Sequence, residues 1–280
     1  MPLLYELKQK QGLPLEAKIL MSQRRIRDWY EHWHGMVYAS VSGGLDSTVM
    51  YHLIHAQYPD VPGVFVNTTM EFPEIVRFAR TLPNITCLTA EKTPAQVFQE
   101  YGYPVVSKEV SRSIYYARRG SRWALNRFDG QRPDGSPSLW YARRYMKWKY
   151  LLYADFGISD MCCHEMKLRP LVKIERERKP FIGTLAEESE RRKLAYLVTG
   201  CNAYTARQPR SMPLGFWTRQ DVLRFIRDRN IPYAREIYGE IVEDRQGNLR
   251  TTMEQRTGCF ACPLGQNAHR KKGEESRFER

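Results

Sequence analysis

The stretch Val37-Tyr-Ala-Ser-Val-Ser42-Gly-Gly-Leu-Asp-Ser47-Thr48 decides the fold of this chain. An apolar, β-prone run ends in Ser42-Gly43-Gly44-Leu45-Asp46-Ser47, and a run with helical spacing follows. Two glycines let backbone N–H groups turn toward an anion, and the N-terminus of the next helix favours the same negative charge. The pattern predicts a phosphate-binding loop at the carboxyl end of a strand, with an ordinary strand-to-helix turn as the alternative.

Further strands and helices follow this loop in alternation. Residues 61–67 and 84–88 are predicted strands, and residues 75–82 and 94–101 are predicted helices. The alternation predicts an α/β fold with a doubly wound, mostly parallel sheet and helices on both faces. Ligands bind such sheets at the carboxyl ends of the strands. We therefore expect Asn67, Thr68 and Glu71 to bind the same cofactor as Ser42–Ser47.

The composition predicts four segments along the chain. These are an N-terminal helical segment (1–35), a nucleotide-binding α/β domain (36–235) with a basic, aromatic-rich insertion (107–150), a helical and loop segment with half of a metal site (236–265), and a basic tail (266–280) expected to be disordered. No apolar run is long enough for a signal peptide or a membrane span, so the expected location is the cytoplasm, with no membrane partner.

The chain is strongly basic, with 44 Lys and Arg residues against 31 Asp and Glu residues and a net charge of +13. This excess favours a polyanionic partner or an anionic substrate. Between Ser107 and Arg144, basic residues alternate with aromatic ones, a pattern that suits phosphate contacts and base stacking. The sequence therefore predicts a nucleic-acid partner for this region. Two amphipathic helices with solvated arginines and buried aromatics are the alternative.

Four of the six cysteines form two close pairs, Cys162-Cys163 and Cys259-x-x-Cys262. In a reducing compartment such pairs indicate a metal or redox site rather than disulfides. Four thiolates form a soft tetrahedral site that suits a [4Fe–4S] cluster. Zinc is the competing metal, although zinc pairs normally have two or more residues between ligands. Buried free thiols are the third alternative.

Taken in order, the motifs resemble the phosphoadenylyl-sulfate (PAPS) reductase family of PP-loop ATP pyrophosphatases. The resemblance covers residues 15–265. It is carried by Ser42–Ser47, Asn67-Thr with Phe72-Pro-Glu74, Cys162-Cys163 with Lys167, Gly183 with Glu188-Ser189 and Arg192, Pro213-Leu with Trp217-Thr, and Gly258-Cys-x-x-Cys262-Pro.

The resemblance implies roles for these residues. The loop would hold the pyrophosphate end of ATP, with Mg²⁺ at Asp46, while the α-phosphate is attacked to give an adenylated intermediate. Lys167 and Arg192 would act with Asp46 in catalysis by neutralising phosphate or sulfate oxygens. The cysteine pairs are similar to those of the iron–sulfur adenylyl-sulfate reductases, which implies that Cys162, Cys163, Cys259 and Cys262 bind a [4Fe–4S] cluster.

Two features favour adenylation over reduction. Reductases of this family carry a nucleophilic cysteine in a C-terminal Glu-Cys-Gly-x-His motif, and residues 266–280 contain no cysteine. The intact Ser-Gly-Gly-x-Asp-Ser loop is typical of relatives that cleave ATP. We therefore expect ATP-dependent sulfur transfer, similar to DNA phosphorothioation and tRNA thiolation, with a sulfur-donor protein such as a cysteine desulfurase. The alternatives are a sulfonucleotide reductase with another nucleophile, such as Cys201, and a nucleic-acid-binding subunit without turnover.

Overall fold

The computed structural model describes residues 4–260 and 262, so the predicted tail at 266–280 lies outside the described residues. The chain divides into two compact units. The first contains the described residues up to Asn67, together with Glu71–Leu88 and Leu171–Thr257. The second contains Thr68–Met70, Thr89–Pro170 and the described residues from Gly258 onward. The four segments predicted from composition stay a prediction.

Helices and strands alternate along most of the described chain. In order they are α1 (Leu4–Gln11), α2 (Leu15–His32), β1 (Val37–Val41), α3 (Leu45–His55), β2 (Gly63–Asn67), α4 (Pro73–Thr81), β3 (Ile85–Thr89), α5 (Pro94–Tyr101), α6 (Lys108–Ala117), α7 (Arg122–Phe128), α8 (Leu139–Tyr145), α9 (Met161–Cys163), α10 (Val172–Glu177), β4 (Lys179–Ile182), α11 (Glu190–Thr199), β5 (Asn202–Ala203), β6 (Arg210–Ser211), α12 (Arg219–Asp228), α13 (Arg235–Tyr238), β7 (Ile241–Glu243) and β8 (Leu249–Thr251). Shorter 3₁₀ turns lie at Met146–Tyr153, Arg169–Leu171 and Ala186–Glu188, and a π-helical turn at His164–Leu168.

A six-stranded sheet forms the centre of the first unit, in the order β3-β2-β1-β4-β6-β5. Strand β1 pairs in parallel with β2 and β4, and β4 pairs in parallel with β6, whereas β5 is antiparallel to β6. The predicted α/β fold with a mostly parallel sheet is confirmed. Because β2 and β3 extend the sheet on one side of β1 and β4 on the other, the loop after β1 begins at the topological switch point.

The side chains of β1 alternate between two apolar clusters, as the two-residue period of a strand requires. Val37, Ala39 and Val41 lie in the large core, which α2, α3 and α12 complete. Tyr38 lies in a second cluster, where Ile174 of α10 also packs. The sheet is therefore covered by helices on both faces, as predicted from its nearly continuous apolar strands.

The second unit is helical and has its own apolar clusters. One cluster joins α6, α7 and α8 through buried residues that include Ile114, Phe128 and Tyr145. The other contains Val97 of α5 together with Cys162 and Met166. Across the described residues of both units, no helix combines the length and the apolar character that a bilayer crossing requires.

A buried ion pair fastens α2 to α12 in the first unit. Lys18 Nζ lies 2.6 Å from Asp221 Oδ2, and both side chains are almost fully buried. The same ammonium group donates a hydrogen bond of 2.6 Å to the carbonyl oxygen of Gln11. Asp221 Oδ2 also accepts hydrogen bonds from the backbone N–H and the hydroxyl of Thr218. The spacing Thr218-x-x-Asp221 predicts this N-terminal cap of α12 from the sequence, and the structure confirms it. One carboxylate thus caps a helix and neutralises a buried cation.

We expect Lys18→Met to lower the free energy of unfolding by about 3 kcal/mol, because the buried Asp221 carboxylate loses its counter-charge. Chemical denaturation measures the loss. The matched control is Lys10→Met, since the Lys10 ammonium lies 3.9 Å from Glu6 in an exposed pair. That control should change the stability by less than about 1 kcal/mol. Equal losses in the two variants would contradict the assigned role of Lys18.

Candidate functional site

The phosphate loop, Ser42–Ser47, connects β1 to α3 and is closed by its own serines. Ser47 Oγ accepts a hydrogen bond of 3.1 Å from the Ser42 N–H and donates one of 2.9 Å to the Gly44 carbonyl. Gly44 is the N-cap residue of α3 and supplies no side-chain cap. Because no N-cap side chain occupies this end, the positive end of the α3 dipole can favour an anion.

Two positions require glycine, Gly43 within this loop and Gly183 in the segment packed against it. Gly43 has a φ of +72°, in the left-handed region, and a Cβ atom there would lie 2.6 Å from Cγ2 of Ile75. Gly183 follows β4, and a Cβ atom there would lie 2.6 Å from the Cα of Ser47. The end of β4 and the start of α3 therefore approach each other backbone to backbone, which only glycine permits.

Three arginines of the first unit form ion pairs around the loop. Arg219 Nη1 lies 3.1 Å from Asp46 Oδ1. Glu188 pairs with both Arg192 and Arg256, and the Arg256 contact is 2.5 Å long. The Glu188 side chain is only 10% exposed, whereas the Arg192 and Arg256 side chains are 38% and 39% exposed. One carboxylate therefore positions two partly exposed cations.

Groups of like charge lie near each other in this network, both among the arginines and among the carboxylates. Burial lowers the pKa of Arg192, and the neighbouring Arg256 lowers it further, while Asp46 acts in the opposite direction. Burial raises the pKa of Glu187, and the nearby carboxylates of Asp221 and Asp46 raise it too, against a backbone N–H donated by Arg219. An anion beside the arginines and a cation beside the carboxylates would each relieve this crowding.

Several residues beside the loop were not predicted from the sequence. Tyr238 hydroxyl lies 2.9 Å from Thr257 Oγ1, and both oxygens lie within 4 Å of the position that a Cβ of Gly44 would take. Arg219 and Arg256 were also missed, although Arg219 directly follows the predicted cap of α12. Tyr238 lies in a four-residue helix far along the chain, and no local pattern indicates its contact with the loop.

The other predicted nucleotide-binding residues are divided between the two units. Leu45 is 1% exposed, and its side chain packs in the large core of the first unit. Asn67 ends β2, and Glu71 also belongs to the first unit. Thr68 belongs to the second unit, where its Oγ1 lies 3.9 Å from the sulfur of Cys259. Of the predicted catalytic residues, Asp46 and Arg192 lie in the first unit.

Lys167 lies in the second unit beside the four predicted metal ligands. Cys162, Cys163, Cys259, Cys262 and Lys167 line one cavity of about 30 Å³, which we call the thiol cavity. Its remaining lining residues are apolar. The adjacent cysteines end α9, and the π-helical turn at His164–Leu168 follows directly, an irregularity that is frequent at functional sites. The structure thus brings together two sequence pairs that are separated by 96 residues.

The two adjacent thiols have opposite pKa shifts. A hydrogen bond from Cys162 lowers the pKa of Cys163 to about 5, with burial opposing and the charges of Lys108 and Lys167 contributing. Donation of that hydrogen bond and burial raise the pKa of Cys162. Cys163 is therefore held as a thiolate at neutral pH, which is the form that binds a metal.

The donor set of the thiol cavity suits a soft metal, but its present dimensions are small. A volume of about 30 Å³ is room for one or two water molecules. A four-iron cube fits only if the sulfur atoms move apart. Within residues 4–260 and 262, no group of three or more His, Cys, Asp or Glu side chains is arranged as metal ligands. The cluster and its zinc alternative stay predictions.

Cys201, proposed from the sequence as an alternative nucleophile, is buried in the first unit. Burial raises its pKa to about 11, so the group remains a protonated thiol at neutral pH. A protonated thiol is a poor nucleophile. His164 is exposed, and its Nδ1 lies 2.9 Å from Glu165 Oε1. Neither residue has the environment of an activated catalytic group.

The sheet order and the glycine-built loop at the switch point define a PP-loop α/β protein. The family model of the phosphoadenosine phosphosulfate reductase domain matches residues 36–107 and 129–264. The chain therefore belongs to the PAPS reductase family, an enzyme family of sulfur metabolism. This result confirms the family that the sequence motifs indicate.

Curated relatives match a shorter stretch. The chain is 29% identical over 93 residues to a phosphoadenosine 5′-phosphosulfate reductase of Photorhabdus laumondii, and 31% identical over 88 residues to one of Yersinia enterocolitica. These matches cover 31% and 30% of this chain but only 38% and 36% of the relatives. A PAPS reductase structure from Candida auris, in a phosphate complex, has a TM-score of 0.46 at 15% identity, covering 88% of this chain and 97% of that chain.

We expect Gly183→Ala to lower the free energy of unfolding by about 1–3 kcal/mol, because the added methyl group meets the backbone of Ser47. Thermal or chemical denaturation measures the loss. Gly12→Ala is the matched control, since the nearest atom to its added Cβ lies at 3.5 Å. That substitution should leave the stability unchanged or raise it by up to about 1 kcal/mol. A Gly183→Ala protein as stable as the wild type would disprove the close approach.

Proposed function

We propose that this chain is a PP-loop enzyme that uses ATP to adenylate its substrate, releasing pyrophosphate, in a sulfur-transfer reaction. The observation that carries the proposal is the intact loop Ser42–Ser47 at the uncapped start of α3, with Arg192 and Arg256 nearby. Uncapped helix N-termini and glycine loops bind phosphate groups through backbone N–H donors. Arginine adds charge and paired hydrogen bonds to the same oxygens.

The charge distribution around the loop supports a nucleotide with a bound cation. Arg192 and Arg256 share one carboxylate, so phosphate oxygens can neutralise the remaining positive charge. Asp46 raises the pKa of Glu187, and both carboxylates also contact Arg219. Mg²⁺ is commonly held by one or two carboxylates together with phosphate oxygens. The predicted Mg²⁺ would bind Asp46 in place of the Arg219 guanidinium.

The proposed reaction has two displacements. A nucleophilic oxygen of the acceptor attacks the α-phosphorus of ATP, the α–β anhydride bond breaks, and pyrophosphate leaves with the bonding electrons. A sulfur nucleophile from the donor then attacks the activated atom of the acceptor, and AMP leaves with its oxygen. The loop and the arginines would stabilise the negative charge that the leaving pyrophosphate gains. We propose a nucleic acid as the acceptor and a cysteine desulfurase as the sulfur source, with a thiol as the two-electron reductant that releases its persulfide sulfur.

The thiol cavity is the proposed site of a [4Fe–4S] cluster, held by Cys162, Cys163, Cys259 and Cys262. When bound, such a cluster would supply a labile sulfur or brace the site of the sulfur donor. The thiolate form of Cys163 and the charges of Lys108 and Lys167 would favour metal binding over free thiols. Zinc is the alternative metal for the same four ligands. A reducing cytoplasm, the proposed location, would keep the thiols available.

The second candidate is reduction of a sulfonucleotide, and one observation favours it. The curated relatives from Photorhabdus laumondii and Yersinia enterocolitica are both named phosphoadenosine 5′-phosphosulfate reductases. Its nucleophile would have to be a thiolate, and the raised pKa of Cys201 speaks against that residue. The two candidates require different leaving groups, pyrophosphate in one reaction and sulfite in the other.

We expect the wild type to release pyrophosphate and AMP from Mg²⁺-ATP, and Asp46→Asn to lower the rate by about 100-fold because a charge at the phosphates is lost. A coupled pyrophosphate assay, with sulfide and single-stranded oligonucleotides present, measures the rate. Asp60→Asn is the control, since Asp60 is an exposed carboxylate of the same unit. Sulfite release from adenylyl sulfate with a thiol, without pyrophosphate release from ATP, would establish the second candidate instead.

For the thiol cavity, we expect anaerobically purified protein to absorb in the visible range and to contain equal amounts of iron and acid-labile sulfide. Cys162→Ser should lose both, because one ligand of the cluster is removed. Cys87→Ser should keep both, since Cys87 is exposed on β3 of the other unit. Stoichiometric zinc in an iron-free wild-type protein would eliminate the cluster.

A further inference from the structure

The second unit carries an open groove of about 570 Å³ that the adenylation chemistry does not use. Its lining includes two indole rings and three cationic side chains, which are Trp140, Trp148, Arg143, Arg144 and Lys147. We call it the tryptophan groove. Its volume lies within the range of sites that bind small organic groups.

We propose that the tryptophan groove binds single-stranded nucleic acid, with a base stacked on Trp140 and phosphates held by Arg143 and Lys147. The assignment deepens the proposed function, because it narrows the nucleic-acid acceptor to a single strand and names its binding surface. It rests on that function for the acceptor role only. Base stacking on aromatic rings beside a cationic surface is how proteins bind single strands without reading sequence.

The contacts separate structural arginines from those that can bind a ligand. Arg118 donates hydrogen bonds of 2.6–2.8 Å to the carbonyl oxygens of Leu151, Ala154 and Phe156. Arg127 lies over the rings of three aromatic residues and hydrogen-bonds to the Tyr145 hydroxyl. These two arginines hold the second unit together.

The cations of the tryptophan groove have fewer partners. Among the described residues, Arg143 and Lys147 have no acidic partner, and the Lys147 ammonium lies 5.3 Å from the ring centre of Trp148. Arg144 pairs with Glu109 at 2.7 Å and lies over Trp140. Residues 107–150 contain 11 basic and three acidic side chains, so this surface carries much of the net charge of the chain. Charge complementarity therefore selects a polyanion.

The exposure of the aromatic rings indicates stacking rather than purely ionic binding. Trp140 is 54% exposed, although indole rings are normally well buried. Tyr150 and Tyr153, in the 3₁₀ turn that follows α8, are 63% and 82% exposed. The exposed face of Trp140 is therefore available for stacking, and the two tyrosines lie outside the lining of the groove.

One wall of the groove has a backbone conformation that is unfavourable for its residue type. Val106 has a φ of +61°, in the left-handed region that β-branched residues avoid. The Ser107 N–H donates a hydrogen bond of 2.6 Å to the Val105 carbonyl across this residue, and the Ser107 side chain caps α6. Such strain persists where neighbouring contacts fix it, commonly at functional sites. The wall is therefore built before any ligand binds.

The shape of the ligand follows from these features. A duplex keeps its bases stacked inside the helix and presents only phosphates and groove edges, so it cannot cover Trp140 with a base. A single strand can turn a base toward the indole ring while its phosphates reach Arg143 and Lys147. RNA and DNA single strands share this chemistry.

The test is fluorescence anisotropy on the full chain without ATP, using labelled oligo-dT, oligo-U and a duplex of equal length. We expect either single strand to bind at least tenfold tighter than the duplex, and the tighter one identifies the acceptor. Trp140→Ala should weaken binding about tenfold through lost stacking. Arg143→Gln with Lys147→Gln should reduce the salt slope by about 1.4, since each phosphate contact contributes about 0.7.

Matched controls lie in the first unit. Arg245→Gln removes one exposed charge, and Tyr5→Ala removes one exposed aromatic ring. Both variants should bind the single strands with wild-type affinity. Trp140→Phe should recover most of the affinity, which shows that Trp140→Ala did not simply unfold the groove. Equal binding of the duplex, equal competition by polyglutamate, or wild-type affinity in Trp140→Ala would each overturn the inference. Binding of single strands without pyrophosphate release from ATP would contradict the proposed function but not this inference. Pyrophosphate release without binding of single strands would contradict this inference but not the proposed function.

Discussion

The close contact between Gly183 and Ser47 is the constraint on which the position of the loop Ser42–Ser47 depends. With 2.6 Å between a would-be Cβ and the Cα of Ser47, the end of β4 fixes where α3 begins. The start of α3 in turn fixes Gly44 as an uncapped N-terminus and Asp46 beside Arg219. A side chain at position 183 would displace the helix end and with it the charges beside the loop. The position of the loop at the switch point is thus fixed by a steric contact as well as by the strand order.

Around this loop, the first unit contains neighbouring groups of like charge. Glu188 is shared by Arg192 and Arg256, so one carboxylate balances two cations. Partial desolvation raises the pKa of Glu187, and the carboxylates of Asp221 and Asp46 raise it further. Under the proposed function, a bound phosphate chain would add negative charge beside the two arginines and so reduce their mutual repulsion.

Local patterns predicted the parts of the fold that depend on neighbours in sequence. The loop, the alternating strands and helices, and the Thr218–Asp221 cap follow from glycine conformation, side-chain period and capping chemistry. The residues that contact the loop from distant segments of the chain could not be predicted from such local patterns. Tyr238 and Arg256 reach the loop only because the chain after α12 folds back, and no spacing rule encodes that path. The assignment of Thr68 to the second unit likewise depends on packing across the chain.

The basic insertion illustrates why composition alone left two interpretations open. Arginine interleaved with aromatic residues is equally compatible with a packed helical cluster and with a ligand surface, because the guanidinium group serves both uses. The contacts divide the insertion between the two. Arg118 hydrogen-bonds to carbonyl groups of its own unit, and Arg127 packs on aromatic rings of that unit. Arg143 and Lys147 instead line the groove that contains the exposed Trp140. If this surface binds a polyanion as proposed, the cations without acidic partners in the described chain contribute most, so the effective charge is smaller and more localised than the sequence total.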